Sequence, residues 1–201
     1  MSKRIALFSA AFCALALTAT VIAPASAEDK KMMKSEMSGE KTVMVGGAAM
    51  FPSKNIVENA VNSKDHTTLV AAVKAAGLVE TLQSAGPFTV FAPTNEAFGK
   101  LPAGTVETLV KPENKATLTK ILTYHVVAGR MTSKDLMKAI KAGKGTATLK
   151  TVSGGTLTAM MKGPKTIELK DEKGGVSTVT IADVMQSNGV IHVVNTVLMP
   201  Q

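Results

Sequence analysis

Three histidines, a group of methionines and a run of lysines are the residues of this chain whose types could do chemistry beyond packing. The histidines are His66, His125 and His192, and no two stand at the i and i+4 spacing that sets two imidazoles on one helix face for a shared metal. His192 falls on an apolar strand pattern, where a buried imidazole satisfied by a hydrogen bond is expected. Met32, Met33 and Met37 offer thioethers, which suit Cu(I) outside the cytoplasm. No His or Cys stands near them, so a linker that contains methionine is the preferred reading.

Catalytic patterns are missing. The chain has no Gly-x-Ser-x-Gly elbow, no P-loop and no His-Glu-x-x-His. Its single cysteine, Cys13, lies among the first 27 residues, so the remainder has no thiol nucleophile, disulfide or thiolate metal site. Gly154-Gly155 and Gly174-Gly175 lie between strand patterns and read as hairpin turns rather than phosphate cradles. Glu168, Asp171 and Glu172 form one small acidic cluster ahead of the second of these turns, and a solvated loop accounts for them. The expectation is a protein that is not an enzyme and holds no cofactor and no metal.

The strongest charge feature is Arg130, Lys134, Lys138, Lys141, Lys144 and Lys150. Lys134, Lys138 and Lys141 share one helical face, offset only by Asp135. Two readings stay open: an anion-binding face formed by Arg130, Lys134, Lys138 and Lys141, suited to acidic glycan, lipopolysaccharide or anionic membrane, and an ordinary solvated helix face. Nucleic acid is not expected as a partner. After residue 27 the aromatics are Phe51, Phe88, Phe91, Phe98 and Tyr124, too few for stacking platforms.

The elements that must position these residues begin after a segment of another kind. Lys3 and Arg4 precede an uncharged, Ala- and Leu-rich run from Ile5 to Ala23, and Ala25-Ser26-Ala27 supplies small residues for cleavage. Residues 1–27 are therefore expected to be a cleaved secretory signal peptide, leaving no stable membrane span. A periplasmic or extracellular location follows. The formal charge of +8 then falls to +6 as Lys3 and Arg4 leave, and the balanced charges of residues 28–41 place that excess on the remainder. Residues 28–49 are expected to be a flexible linker containing Met, Lys and Glu.

From residue 50 the pattern is helical, then β. Ser53 is expected to cap a helix over Asn55–Val61, and Asp65 or Thr67 the next, whose stripe is Leu69, Val70, Ala72, Val73 and Ala76 before a C-capping Gly77. Phe88–Ala92 reads as a buried strand stopped at Pro93, after which Thr94 or Asn95 caps a short helix. Helices are expected over Thr105–Leu109 and Glu113–Leu122, a strand at His125–Val127, and a helix over Ser133–Ala142 opened by a capping box in which Asp135 stands in for Glu. The strand candidates that follow are Thr146–Val152, Thr156–Met161, Thr166–Leu169, Val176–Asp183 and Val190–Met199, separated by Gly, Pro and Asn-Gly turn signals. Asn188-Gly189 is expected to need positive φ. In the last strand Val190, His192, Val194, Thr196 and Leu198 alternate with Ile191, Val193, Asn195, Val197 and Met199. Both sets are largely apolar, so a central covered strand is expected. Helices first and a meander after imply an α+β fold.

Three stretches in order resemble the fasciclin (FAS1) family: GPFTVFAPTNEAF at Gly86–Phe98, TYHVVAG around Tyr124-His125, and NGVIHVVNTVLMP at Asn188–Pro200. The resemblance spans roughly residues 50–201, the expected domain. Asn195 departs from it, since the family often carries an acid there. The resemblance implies a wedge-shaped β-sandwich with flanking helices in which Thr94, Asn95, Asn188, Gly189 and His192 serve the structure. It implies a role in cell-surface or matrix adhesion with a protein or envelope component, an anionic one among them, as partner; at Tyr124 and His125 two readings stay open, adhesive contacts as the family implies and side chains that pack against the fold. A carrier of an apolar small molecule, a carotenoid or lipid, is the alternative that it leaves open.

Overall fold

A computed structural model of the chain describes residues 41–102 and 104–201. The expected signal segment and residues 28–40 of the expected linker, with Met32, Met33 and Met37, lie outside the described residues. From residue 42 onward the linker expectation is replaced by structure. Strands β1 (Val43–Val45) and β2 (Ala48–Met50) pair as a hairpin. The turn is Gly46-Gly47, with φ of 57° and 75°, the left-handed pair that a two-residue turn between antiparallel strands requires. Val45 and Met50 are buried in the core, so the hairpin is part of the folded domain.

Helix α1 (Ile56–Ala60) follows. Its cap is Asn55, not Ser53: Asn55 Oδ1 accepts from the Glu58 amide at 2.9 Å, and the Glu58 carboxylate accepts from the Asn55 amide at 2.9 Å. A 3-10 turn (Lys64–His66) leads into α2 (Thr67–Ala76), closed by Gly77 in the left-handed conformation. Neither Asp65 nor Thr67 caps α2. The Thr68 amide instead donates 3.0 Å to Asn95 Oδ1, while Asn95 Nδ2 donates 2.8 Å to the Lys64 carbonyl. Thr94 caps its own helix by accepting from the Ala97 amide at 3.3 Å. The chain continues through α3 (Val79–Gln83), β3 (Phe88–Pro93), α4 (Asn95–Gly99), α5 (Thr105–Leu109), α6 (Lys115–Tyr124) and β4 (Val126–Ala128). Then come α7 (Ser133–Ala142), β5 (Thr146–Lys150), β6 (Thr156–Met161), β7 (Ile167–Lys170), β8 (Val176–Gln186) and β9 (Gly189–Val194). Helix α7 opens on the expected Thr132–Asp135 capping box.

Seven strands form one sheet in the order β4-β3-β9-β8-β7-β6-β5. Strands β3 and β9 are parallel, from Phe88 opposite Gly189 to Pro93 opposite Val194, and the other neighbours are antiparallel. Val127 of β4 bridges Thr151 beyond β5, so the two ends of the sheet meet. The long β8 makes this possible. Its register shifts between Val179 and Ile181 and again before Val184, and Asp183 takes a φ of 59° there. Such bulges bend a strand and let it pair with both halves. The fold is α+β, with a single sheet folded over on itself.

The β3–β9 pair separates two cores. Val90, Ala92, Ile191, Val193 and Val197 pack with Leu69, Val73, Leu118 and Ile121 of the helices. Phe91, Val194 and Leu198 face the other way, toward Leu136 and Ile140 of α7 and Leu149, Leu157 and Leu169 of the meander. Strand β9 is buried throughout, as its two apolar faces require. The regular strand ends at Val194, short of the expected Met199. Asn195 Oδ1 instead accepts from the Thr178 amide at 2.9 Å.

Candidate functional site

Helix α6 ends at Tyr124 and His125, and the structure buries both. The Tyr124 hydroxyl donates 2.6 Å to the Thr156 carbonyl and accepts from the Glu172 amide at 3.2 Å. Burial pushes this phenol up to about 12; the Glu172 amide counteracts, and the Glu172 and Asp171 charges add to the rise. His125 Nδ1 lies 2.9 Å from the Ile121 carbonyl and Nε2 accepts from the Leu198 amide at 3.0 Å, which makes Nδ1 the protonated nitrogen. Burial lowers its pKa to about 4, against smaller opposing effects from the Ile121 carbonyl and Asp171. Tyr124 is fully buried and His125 is 3% exposed, so these side chains pack against the fold, the second of the two readings, and offer almost no surface for direct adhesive contact. They hold the C-terminal segment and the β5–β6 hairpin against the core.

The acidic cluster is also more than a solvated loop. Asp171 is buried, with Oδ1 accepting from the Gly175 amide at 2.6 Å and Oδ2 from the Met199 amide at 2.9 Å. The Glu172 carboxylate accepts from the Thr156 and Gln201 amides at 2.9 and 3.3 Å, and these bonds hold its pKa below the ordinary value, that to Thr156 most. Glu168 pairs with Lys162 at 2.7 Å, the one ion pair among the described residues.

The remaining motif residues brace the β3–β9 junction. Asn188 Nδ2 donates to the Leu82 and Ser84 carbonyls at 2.7 and 3.0 Å, and its Oδ1 accepts from the Ile56 amide at 3.1 Å. Neither Asn188 nor Gly189 takes a positive φ, contrary to expectation. Glycine stands at 189 because a Cβ there would come within 2.2 Å of the Phe88 carbonyl oxygen on the parallel neighbour. His192 Nε2 lies 2.8 Å from the Met131 carbonyl, Nδ1 accepts from the Asp183 amide at 3.3 Å, and the ring stacks on Phe91 with centroids 5.7 Å apart. It is the buried, satisfied imidazole expected of it.

On α7, Leu136 and Ile140 enter the core, while Lys134, Lys138 and Lys141 are exposed and have no carboxylate within ion-pair distance. Asp135 is committed to Thr132, accepting from its hydroxyl at 2.7 Å and its amide at 3.1 Å, and these bonds lower its pKa. Arg130 is exposed but tied elsewhere, its guanidinium donating to the Gln186 and Ser187 carbonyls at 3.2 Å each. The structure therefore keeps the three lysines as one face and assigns Arg130 to the β8–β9 turn.

A cleft of about 70 Å³ opens on the helical side, its walls drawn from the β1–β2 hairpin, α1, α2, α3, β3 and β9. Nearly every wall atom is apolar, from Val45, Met50, Leu69, Val73, Leu82 and Ile191 among others. Two histidines line it. His125 has both nitrogens partnered, as above. His66 is 3% exposed, and its Nδ1 meets Ser63 Oγ at 2.9 Å. Its Nε2 is the one buried side-chain nitrogen or oxygen among the described residues without a hydrogen-bond partner. Burial lowers the His66 pKa, and the Ala92 backbone and Asp65 offset part of this. Nothing in the sequence singled out His66, because its chemistry comes from the cavity around it.

The Fasciclin domain family model matches residues 64–200. The chain belongs to the fasciclin family. Protein sll1483 of Synechocystis sp. is 47% identical over 163 residues, covering 80% of this chain and 82% of that one. Immunogenic protein MPB70 of Mycobacterium bovis is 37% identical over 146 residues, covering 70% of this chain and 66% of that one. The FAS1 domain pair of the insect cell adhesion molecule Fasciclin I superposes with a TM-score of 0.65 at 20% identity, covering 74% of this chain and 52% of that one. That likeness concerns the fold. The fasciclin match begins at Lys64, whereas part of the cleft wall, Val45, Met50, Ile56 and Val57, precedes it.

Proposed function

We propose that this fasciclin domain is a secreted, non-enzymatic interaction module that attaches to an anionic component of a cell surface, matrix or envelope through the exposed face of α7. The observation that carries this reading is the row Lys134, Lys138 and Lys141, three exposed ammonium groups with no carboxylate within ion-pair distance, on a helix anchored by Leu136 and Ile140. Such a face raises association rates with anionic surfaces and loses its hold as salt screens it. Immobilised protein should retain cells or envelope fragments at low ionic strength. Lys134→Glu, Lys138→Glu and Lys141→Glu together should weaken retention at least tenfold while leaving thermal stability in place. Retention by this variant equal to the parent's rules the proposal out.

The apolar cleft favours a second reading, a carrier of an apolar small molecule. Apolar walls with a few placed polar groups are the usual makeup of a small-molecule site. Native mass spectrometry of protein from its own host should then show an adduct of small-molecule mass. A bare polypeptide mass counts against this reading.

A further inference from the structure

We infer that a polar surface groove binds a hydroxylated monocarboxylate, the chemistry of a sugar acid, with its carboxylate on Arg130 and its hydroxyls on Gln83 and Ser187. The groove measures about 500 Å³, and its walls include Asn55, Gln83, Pro87, Arg130, Ser187 and Asn188. It lies where the segment leading into β3, the β8–β9 turn and the start of α1 come together beside Arg130. That volume falls within the roughly 300–1,000 Å³ of small-molecule sites. The groove shares no residue with the apolar cleft, and the lysine row of α7 takes no part in it, so the inference goes beyond both readings above.

Arg130 is exposed and is the one charged side chain among the described residues on the walls. Its Nη2 bonds to the Gln186 and Ser187 carbonyls direct the guanidinium and leave Nε and Nη1 without a partner in the protein. Among the described residues no carboxylate lies within ion-pair distance of it. A guanidinium held in place with free N–H groups is matched by a planar oxyanion. One positive charge balances a carboxylate, whereas a phosphate monoester, at about −1.5 to −2 at pH 7, carries an excess. The other polar groups on the walls are neutral. Gln83 and Ser187 are exposed, and their side chains make no hydrogen bond within the described residues. Asn55 keeps its Nδ2 free while its Oδ1 caps α1. Such donors and acceptors suit hydroxyls and offer nothing to the chain of a fatty acid. The floor is fixed in advance. Asn188 bonds to the backbone of Leu82, Ser84 and Ile56, and a Cβ added at Gly86 would fall 2.2 Å from the Asn188 carbonyl oxygen. Walls already in place lower the entropic cost of holding a small ligand.

The test titrates the full 15N-labelled chain with D-glucuronate, D-glucose, acetate and D-glucose 6-phosphate at constant ionic strength. Glucuronate should shift the Arg130 Nε–H and the Gln83 side-chain amide saturably. It should bind about tenfold more tightly than glucose, the worth of a hydrogen bond to a charged group, and about threefold more tightly than acetate. Arg130→Gln should remove the preference over glucose. Gln83→Ala, which deletes no hydrogen bond of the fold, should reduce the preference over acetate. Equal affinity for glucuronate and glucose overturns the role of Arg130, and equal affinity for glucuronate and acetate overturns the role of the hydroxyls. Tighter binding of glucose 6-phosphate overturns the choice of a carboxylate. No saturable shift at Arg130 or Gln83 overturns the site itself. So does loss of glucuronate binding in the Lys134→Glu, Lys138→Glu and Lys141→Glu variant, which would move the ligand to α7. Retention of cells or envelope fragments tests the α7 reading separately, so either can fail alone. The parent's four affinities and Gln83→Ala decide the matter even if Arg130→Gln does not fold.

Discussion

Lowering the pH from 7 to 5 should destabilise the domain through its buried imidazoles, His125 above all. In the folded protein His125 is neutral, and its pKa is lowered to about 4 from 6.5. Protonating Nε2 would set a second donor against the Leu198 amide that it now accepts from. Between these two pKa values the unfolded chain binds the extra proton and the folded one does not. Stability therefore rises with pH across this window and is lost as pH falls below 6.5. For His125 alone the loss between pH 7 and pH 5 is about 2 kcal/mol. His66 and His192, whose pKa values burial also lowers, act in the same direction. Asp135, Glu168 and Glu172 have lowered values, so their contribution is present above their unfolded pKa values and falls away at more acidic pH. Urea unfolding at pH 7, 6 and 5 measures the slope, and 15N spectra of the histidine rings report the protonation state. His125→Gln keeps an acceptor in the place of Nε2 and removes the titration, so it should be less stable at pH 7 and show a shallower loss toward pH 5. A folded-state midpoint for His125 above pH 6, or identical slopes in parent and variant, would refute the reasoning.

Gly189→Ala should cost about 3 kcal/mol in urea unfolding, because its Cβ meets the Phe88 carbonyl on a buried parallel neighbour that has little room to move. An effect under about 1 kcal/mol would show that the β3–β9 spacing relaxes easily. Tyr124→Phe deletes the hydroxyl that joins the Thr156 carbonyl to the Glu172 amide and should destabilise by about 1–3 kcal/mol. Hydrogen exchange at the Glu172 amide should quicken in that variant, and unchanged protection there would contradict the bracing role.

The seven strands of the large sheet, most helices and the central position of β9 were legible in the sequence because they rest on local signals: alternation, turn residues and one capping box. The positions misread depend on partners far along the chain. Asn95 reads as a cap for the helix that follows it, yet its side chain caps α2, 27 residues earlier. Asp171 reads as a solvated acid until the Met199 amide arrives on its Oδ2. Gly189 reads as a turn glycine because Asn-Gly is a turn pair, whereas the demand comes from the neighbouring strand. The β1–β2 hairpin is different. Val-Met-Val, Gly-Gly and Ala-Ala-Met carried a usable local signal, which the charged composition just before it obscured.

The same contrast separates scaffold from function here. The motif residues that are easiest to recognise, Thr94, Asn95, Tyr124, His125, Asn188 and His192, spend their hydrogen bonds on the fold: five bind backbone groups of other elements, and Thr94 caps the helix that follows it. That leaves them little to offer a partner. Groups with unspent capacity lie outside those motifs, in the ammonium row of α7 and in His66 Nε2. An outward face can change with little effect on either core, since Lys134, Lys138 and Lys141 are exposed and lie outside the apolar cluster that holds Leu136 and Ile140. A domain arranged in this way can keep one fold while its partners differ from one relative to the next. The proposed binding surfaces on α7 and along the cleft thus lie largely apart from the motif side chains that brace the fold.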